Sequence, residues 1–363
     1  MLRFQIARHA ASVLRNLTRS ILYSRHSSMM ISSSTLAFLL CYIASPAAAA
    51  TPGEDDSILL HRMSAIHFLN AAEAQPLLAA EDTFTRATTD VDRQLRLHAG
   101  KPVDMQTYLA FVAKQTLDWQ PAEIAKITAA IDRLRPRLRP LRDLWPQRIP
   151  LIKTTGLEEI NAPHCRGNAI VLPKSALIGD EGDIDRLLLH ELFHILSRQS
   201  VELSSQCYEI IGYQRSSRPI ELPAELAARK LTNPDAPLID VVIRLDRPKS
   251  EPRYATPVLL SRQSSYDSTA NTTVFQELQF FLLVVEQLDG VWVVSHPEMP
   301  GLINSHDEPS FRRQVGNNTK YIIHPEEILA DNFIHVVLET PSLPDPWIVD
   351  ALRSALSERA IER

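Results

Sequence analysis

Between Ile184 and Leu196 the apolar positions Ile184, Leu187, Leu188, Leu189, Leu192, Phe193, Ile195 and Leu196 fall on nearly every side of a helix. A helix apolar all round is a buried one, and Asp183 offers it an N-cap. Upstream, Asp56 to Leu69 is apolar at mixed i+3/i+4 spacing and reads as helix, as do Thr107 to Leu117 and Pro121 to Leu138, the last opening on proline. Arg133 to Pro150 alternates Arg, Leu and Pro and reads as a solvated helix end and linker. The pattern then changes. Ile149 to Lys153 and Ala169 to Pro173 are short strand-like runs around a polar loop, Thr154 to Asn168. Beyond the turn cluster Thr232-Asn233-Pro234-Asp235-Ala236-Pro237, strands are expected at Ile239 to Leu245, Ala255 to Leu260, Phe275 to Gln287 and Val291 to Ser295. Leu288-Asp289-Gly290 signals a hairpin among them. The pattern predicts an α+β chain in three parts: 1–50, a helical region over 51–146, and a domain over 147–363 with a β-rich insertion around 238–296.

The apolar helix carries His190-Glu191-Leu192-Phe193-His194, an HExxH motif. Residues four apart share a helix face, so both imidazoles can grip one zinc ion. Glu191 flanks that face and can act as general base toward a zinc-bound water. Two His and a Glu inside a buried helix are costly unless something satisfies them, and a metal does so. A catalytic zinc takes three protein ligands. No third His follows His194 at a short distance, so a carboxylate is expected. The best source is His324-Pro325-Glu326-Glu327-Ile328-Leu329-Ala330-Asp331-Asn332-Phe333, with Pro325 in a first helical turn. Glu327 and Asp331 share a face there: one can bind metal while the other accepts the free ring N–H of a ligand His. Glu326 reads as a helix-start charge. Glu221 and Glu225 are rivals for the third position.

Composition narrows the function classes. The chain is 45% hydrophobic and 22% charged, as in globular proteins. It has no glycine-rich phosphate loop. Residues 1–50 hold five Arg and no Lys, Asp or Glu, so removing them takes the net charge from −5 to −10. An acidic chain of this kind is not expected to bind nucleic acid. The apolar run Leu36 to Ala44 follows this basic stretch, and Ala48 and Ala50 precede a cut expected near Thr51. That is the pattern of a secretory signal, too short to span a bilayer, and it predicts an extracytoplasmic, periplasmic or secreted product with no lasting membrane anchor. Cys41 would leave with it. Cys165 and Cys207 remain, and in an oxidising compartment they are expected to pair as a disulfide bracketing the HExxH helix. Asn271-Thr272-Thr273 and Asn317-Asn318-Thr319 fit a glycosylation acceptor.

With HExxH on one helix and Glu327-xxx-Asp331 on another, the chain resembles the zincin metallopeptidases of the gluzincin type. The resemblance covers these two helices and the strands from Ile149 onward. It implies a zincin-like catalytic domain, with Zn2+ held by His190, His194 and Glu327, Glu191 as general base, and Asp331 orienting a ligand His. The β insertion would fill the long stretch between His194 and Glu327. Arg229 stands where an acid supporting Glu225 would be needed. The resemblance implies a peptide or protein substrate, paired with an edge strand beside the metal helix; Asn168 to Leu172 is the expected strand. The residue facing the oxyanion is expected among Tyr321, His324, Tyr208 and Tyr213, with Tyr321 placed first. Two other readings stay open: a catalytically silent zincin-like module that binds or supports, and an HExxH with no metal at all.

Overall fold

The computed structural model describes residues 57–267, 269 and 273–361. The leader-like stretch 1–50 and the Asn271-Thr272 part of one glycosylation motif lie outside the described residues. The fold is α+β. It begins with strands β1 (Ser57–His61) and β2 (Ser64–Leu69), then helices α1 (Ala71–Ala79), α2 (Thr83–Ala87), α3 (Asp90–Leu97) and α4 (Met105–Ala113). Strand β3 (Thr116–Leu117) and helix α5 (Pro121–Leu138) follow, then β4 (Arg148–Thr154), β5 (His164–Arg166) and β6 (Ala169–Pro173). These strands form one sheet in the order β1-β2-β4-β6-β5, with β3 on β4. Strands β2, β4 and β6 run parallel; β1 and β5 are antiparallel edges.

Two expectations are corrected here. Asp56 to Leu69 is not helical: Ser57–His61 and Ser64–Leu69 form a hairpin. Ile58, Leu60, Ile66 and Phe68 alternate into the core, a period of two. In so short an apolar run both periods fit, and parallel pairing of β2 with β4 decides. That pairing also ties residues 57–69 to 148–173 in one sheet, so no structural boundary falls at 146/147. Secondly, β6 is an interior strand between β4 and β5, and β5 is the last strand on that side of the sheet.

Helix α6 (Glu181–Ser197) carries HExxH. Its cap is Asp180, which accepts from Asp183 N, so the helix starts one turn before the expected Asp183. Helix α7 (Val201–Ile210) follows, then β7 (Tyr213–Arg215) and α8 (Ala224–Ala227). Next come β8 (Val241–Leu245), β9 (Arg253–Ser261), α9 (Val274–Glu277), β10 (Leu278–Leu288), β11 (Val291–Val294) and β12 (Leu302–Asn304). The second sheet is antiparallel, ordered β11-β10-β9-β8-β7 with β12 on β10. This sheet gathers the strands expected between Ile239 and Ser295 together with β7 and β12, although Phe275 to Glu277, expected as strand, is helical. Its two-residue turn, Asp289-Gly290, takes φ of 52° and 79°, the left-handed pair a tight hairpin needs. Helices α10 (Pro309–Val315), α11 (Pro325–Leu338) and α12 (Pro346–Ile361) complete the chain. None of the described helices is long and apolar enough to cross a membrane.

One apolar core joins the layers. It runs from Leu151 and Leu172 of the first sheet, through Leu188, Leu192 and Phe193 of α6 and Phe333 of α11, to Ile243 and Leu282 of the second sheet. Helices α6 and α11 pack directly on each other, with the Phe193 and Phe333 rings 5.6 Å apart. This burial fixes the rotation of both helices, and with it the direction of their polar residues.

Candidate metal centre

Packing of α6 on α11 brings His190, His194 and Glu327 together, with one ligand atom from each within 4.8 Å of the others. His190 Nε2 lies 3.1 Å from Glu327 Oε2, and His194 Nε2 lies 3.8 Å from the same oxygen. Ligand atoms about 2.05 Å from a tetrahedral zinc sit about 3.3 Å from one another, which the two distances bracket. The rings, 4.8 Å apart at 83°, present both Nε2 atoms to one spot. His194 Nε2 is buried and has no hydrogen-bond partner among the described residues. A buried polar atom left unpaired needs an explanation, and a cation between these three donors supplies it. The residues fit a divalent metal.

Each imidazole is oriented through its other nitrogen. His190 Nδ1 donates to Asp331 Oδ1 at 3.1 Å, as expected. Thr319 Oγ1 donates in turn to the second oxygen of Asp331. His194 Nδ1 donates to Glu326 Oε1 at 2.9 Å. Glu326 does stand in the first turn of α11, as expected, but it is buried there and also accepts from Ser197 Oγ (2.5 Å) and Tyr208 Oη (2.6 Å). Burial by itself would raise its carboxyl, but these bonds and the His194 charge hold it at about 2. Sequence reasoning missed Glu326 because it adjoins Glu327. On a helix, neighbours point about 100° apart, and which of two adjacent acids serves which His is a matter of interhelical packing.

Burial disfavours charged imidazoles, yet the surrounding carboxylates win. Asp331 and Glu327 push His190 well above its ordinary range, and Asp235, Glu326 and Glu327 raise His194 to about 9. Glu191 stands beside them with its carboxyl raised, first by burial and then by the charge of Asp235. Cys165 Sγ donates to Glu191 Oε2 at 3.4 Å, and Asp235 completes that second cluster. A carboxylate so raised takes up a proton more readily than a free one.

The other sequence candidates divide clearly. Tyr321, just before α11, sets its ring 6.4 Å from that of His190, and burial together with Glu327 and Asp235 pushes its phenol up. Tyr208 is committed to Glu326, Tyr213 is buried in the core, and His324 caps α11 by accepting from Glu326 N. Glu221 and Glu225 are exposed and take no part. Cys165 and Cys207 are both free, so the expected disulfide is corrected: the Cys165 thiol is turned to Glu191 and Cys207 is packed into the core from α7. In the second glycosylation motif, Asn317 bonds Asp345 through its amide and Thr319 serves Asp331.

Comparisons with protein-family models, curated proteins and solved structures found no match to this chain.

Proposed function

We propose that this protein is a zinc-dependent metallopeptidase of the gluzincin type. One observation carries the reading: two oriented imidazoles and a carboxylate converge on a buried point where His194 Nε2 has no other partner. His190, His194 and Glu327 would hold the ion, with Asp331 and Glu326 fixing the two rings. When bound, zinc supplies a Lewis acid that acidifies water and polarises a carbonyl. Glu191 takes the proton from the attacking water and delivers it to the leaving amine. Tyr321, whose ring lies 6.4 Å from that of His190, would donate toward the oxyanion. The β5 edge, beside α6, is the strand an extended peptide would pair with. The leader-like pattern of residues 1–50 adds an extracytoplasmic site of action to the proposal.

A second reading, a silent module that binds or supports, draws on burial. Glu191 is 2% exposed, His194 0% and Glu327 2%. A peptide library digested with and without chelator separates the two. Glu191→Gln should keep stoichiometric zinc and lose chelator-sensitive cleavage; cleavage at the unaltered rate would remove Glu191 from the chemistry.

A further inference from the structure

A segment of the chain lies against the candidate metal centre, with Asn233 on Glu327 and Asp235 beside Glu191. It comprises residues 233–237, contains two prolines, and runs between fixed ends. On one side Asp92 accepts from Thr232 N and Oγ1, at 3.1 and 2.6 Å, and Arg96 Nη2 donates to Thr232 O. On the other, Ile239 O accepts from Ile220 N. Between the anchors the segment grips the site through side chains. Asn233 Nδ2 donates to Glu327 Oε1 at 2.6 Å, the oxygen turned away from the histidines. Asp235 Oδ1 accepts the Cys165 N–H at 2.9 Å, a donor that β5 does not give to β6. Arg198 clamps the arrangement, reaching Asp235 Oδ1 (3.0 Å), Asp235 O (3.1 Å) and Gly167 O (2.9 Å). The Ala236 N to Asn233 O bond is internal to the segment, and Pro234 and Pro237 have no N–H to offer a ladder.

We propose that residues 233–237 are a built-in strap that occupies the substrate-pairing edge of β5 and keeps the metal centre latent until it lifts. The proposal rests on the metallopeptidase reading above and names the regulation of that site. A peptide pairing with β5 needs the Cys165 N–H, and that donor is taken by Asp235. Asn233 and Asp235 also lie against the site itself, Asn233 on Glu327 and Asp235 beside Glu191. Lifting the strap between anchors at 232 and 239 leaves both sheets intact, because no strand of either sheet lies within it.

The test measures zinc uptake by the metal-free full chain, followed with a chromophoric zinc indicator, alongside hydrogen exchange at the Cys165 amide. The Asn233→Ala/Asp235→Ala chain should take up zinc at least tenfold faster than the unaltered chain, reach the same stoichiometry, and gain peptide-cleaving activity. Asp235→Asn, which keeps an acceptor for Cys165 N–H, guards against a double variant that fails to fold and should show a smaller acceleration. In the unaltered chain the Cys165 amide should exchange faster than that of Ile170 inside the sheet. Equal uptake rates with zinc still bound overturn the strap and leave the metal centre standing. So does weaker zinc binding on loss of Asn233, which would make that residue a support for Glu327. A strap-opened chain that takes up no zinc removes the metallopeptidase reading and the strap with it.

Discussion

Replacing Glu326 by Gln tests whether this carboxylate orients the second histidine. Ala would leave His194 Nδ1–H, Ser197 O–H and Tyr208 O–H without an acceptor in a buried space, mixing packing with electrostatics. Gln keeps the shape: its amide oxygen can still face His194 and Ser197, and the Tyr208 hydroxyl can turn to accept from the amide. What is lost is charge. Hydrogen bonds to a charged group contribute about 1.5–3 kcal/mol and neutral ones about 0.5–1.5, so three weakened bonds should lower stability by roughly 3–4 kcal/mol. With a less firmly held and less basic His194, zinc affinity should fall roughly 10–100-fold. Urea unfolding of the metal-free chain and competitive zinc titration read the two effects. The pH dependence follows from the depressed carboxyl. Stabilisation by Glu326 is complete above its ordinary value of 4.5 and is lost as pH falls through about 2. The unaltered chain should therefore lose its advantage over the variant between those values, the two converging near the lower one. A variant with unchanged zinc affinity and unchanged stability at pH 7 would refute the assignment of Glu326 to His194.

Glu327→Ala should cut zinc content well below one per chain while leaving the fold intact by circular dichroism; retained stoichiometric zinc would send the search for the third ligand elsewhere. Both described thiols should resist alkylation at pH 8 until the chain unfolds, since burial raises Cys165 well above its ordinary range and Cys207 to about 12; rapid labelling in the native state would contradict their placement. Arg96→Met should destabilise by about 3–5 kcal/mol in urea unfolding, because it leaves Asp92 and Glu159 buried without their cation; a loss below about 1 kcal/mol would show that this cluster does not hold the strap's anchor.

Much of the candidate site is written in local spacing. The i,i+4 placement of His190 with His194, and of Glu327 with Asp331, sets each pair on one helix face whatever the rest of the chain does. Pro325 and the Asp289-Gly290 turn act within a few residues and were equally legible. Sequence reasoning failed where the deciding contact is distant. Asp56 to Leu69 became a hairpin because β4 was there to pair with it, and Cys165 stayed a thiol because β5 turns it toward Glu191.

The sequence by itself determined which helices carry the candidate ligands and which faces present them, since a helix repeats every few residues and needs no partner to do so. Only the tertiary structure decided that Glu327 meets His190 across 137 residues, that Glu326 bonds His194, and that Asn233 and Asp235 reach Glu327 and Cys165. Those choices depend on how one buried helix is rotated against another and on where a loop is anchored, and both are set by packing of apolar side chains far apart in the chain.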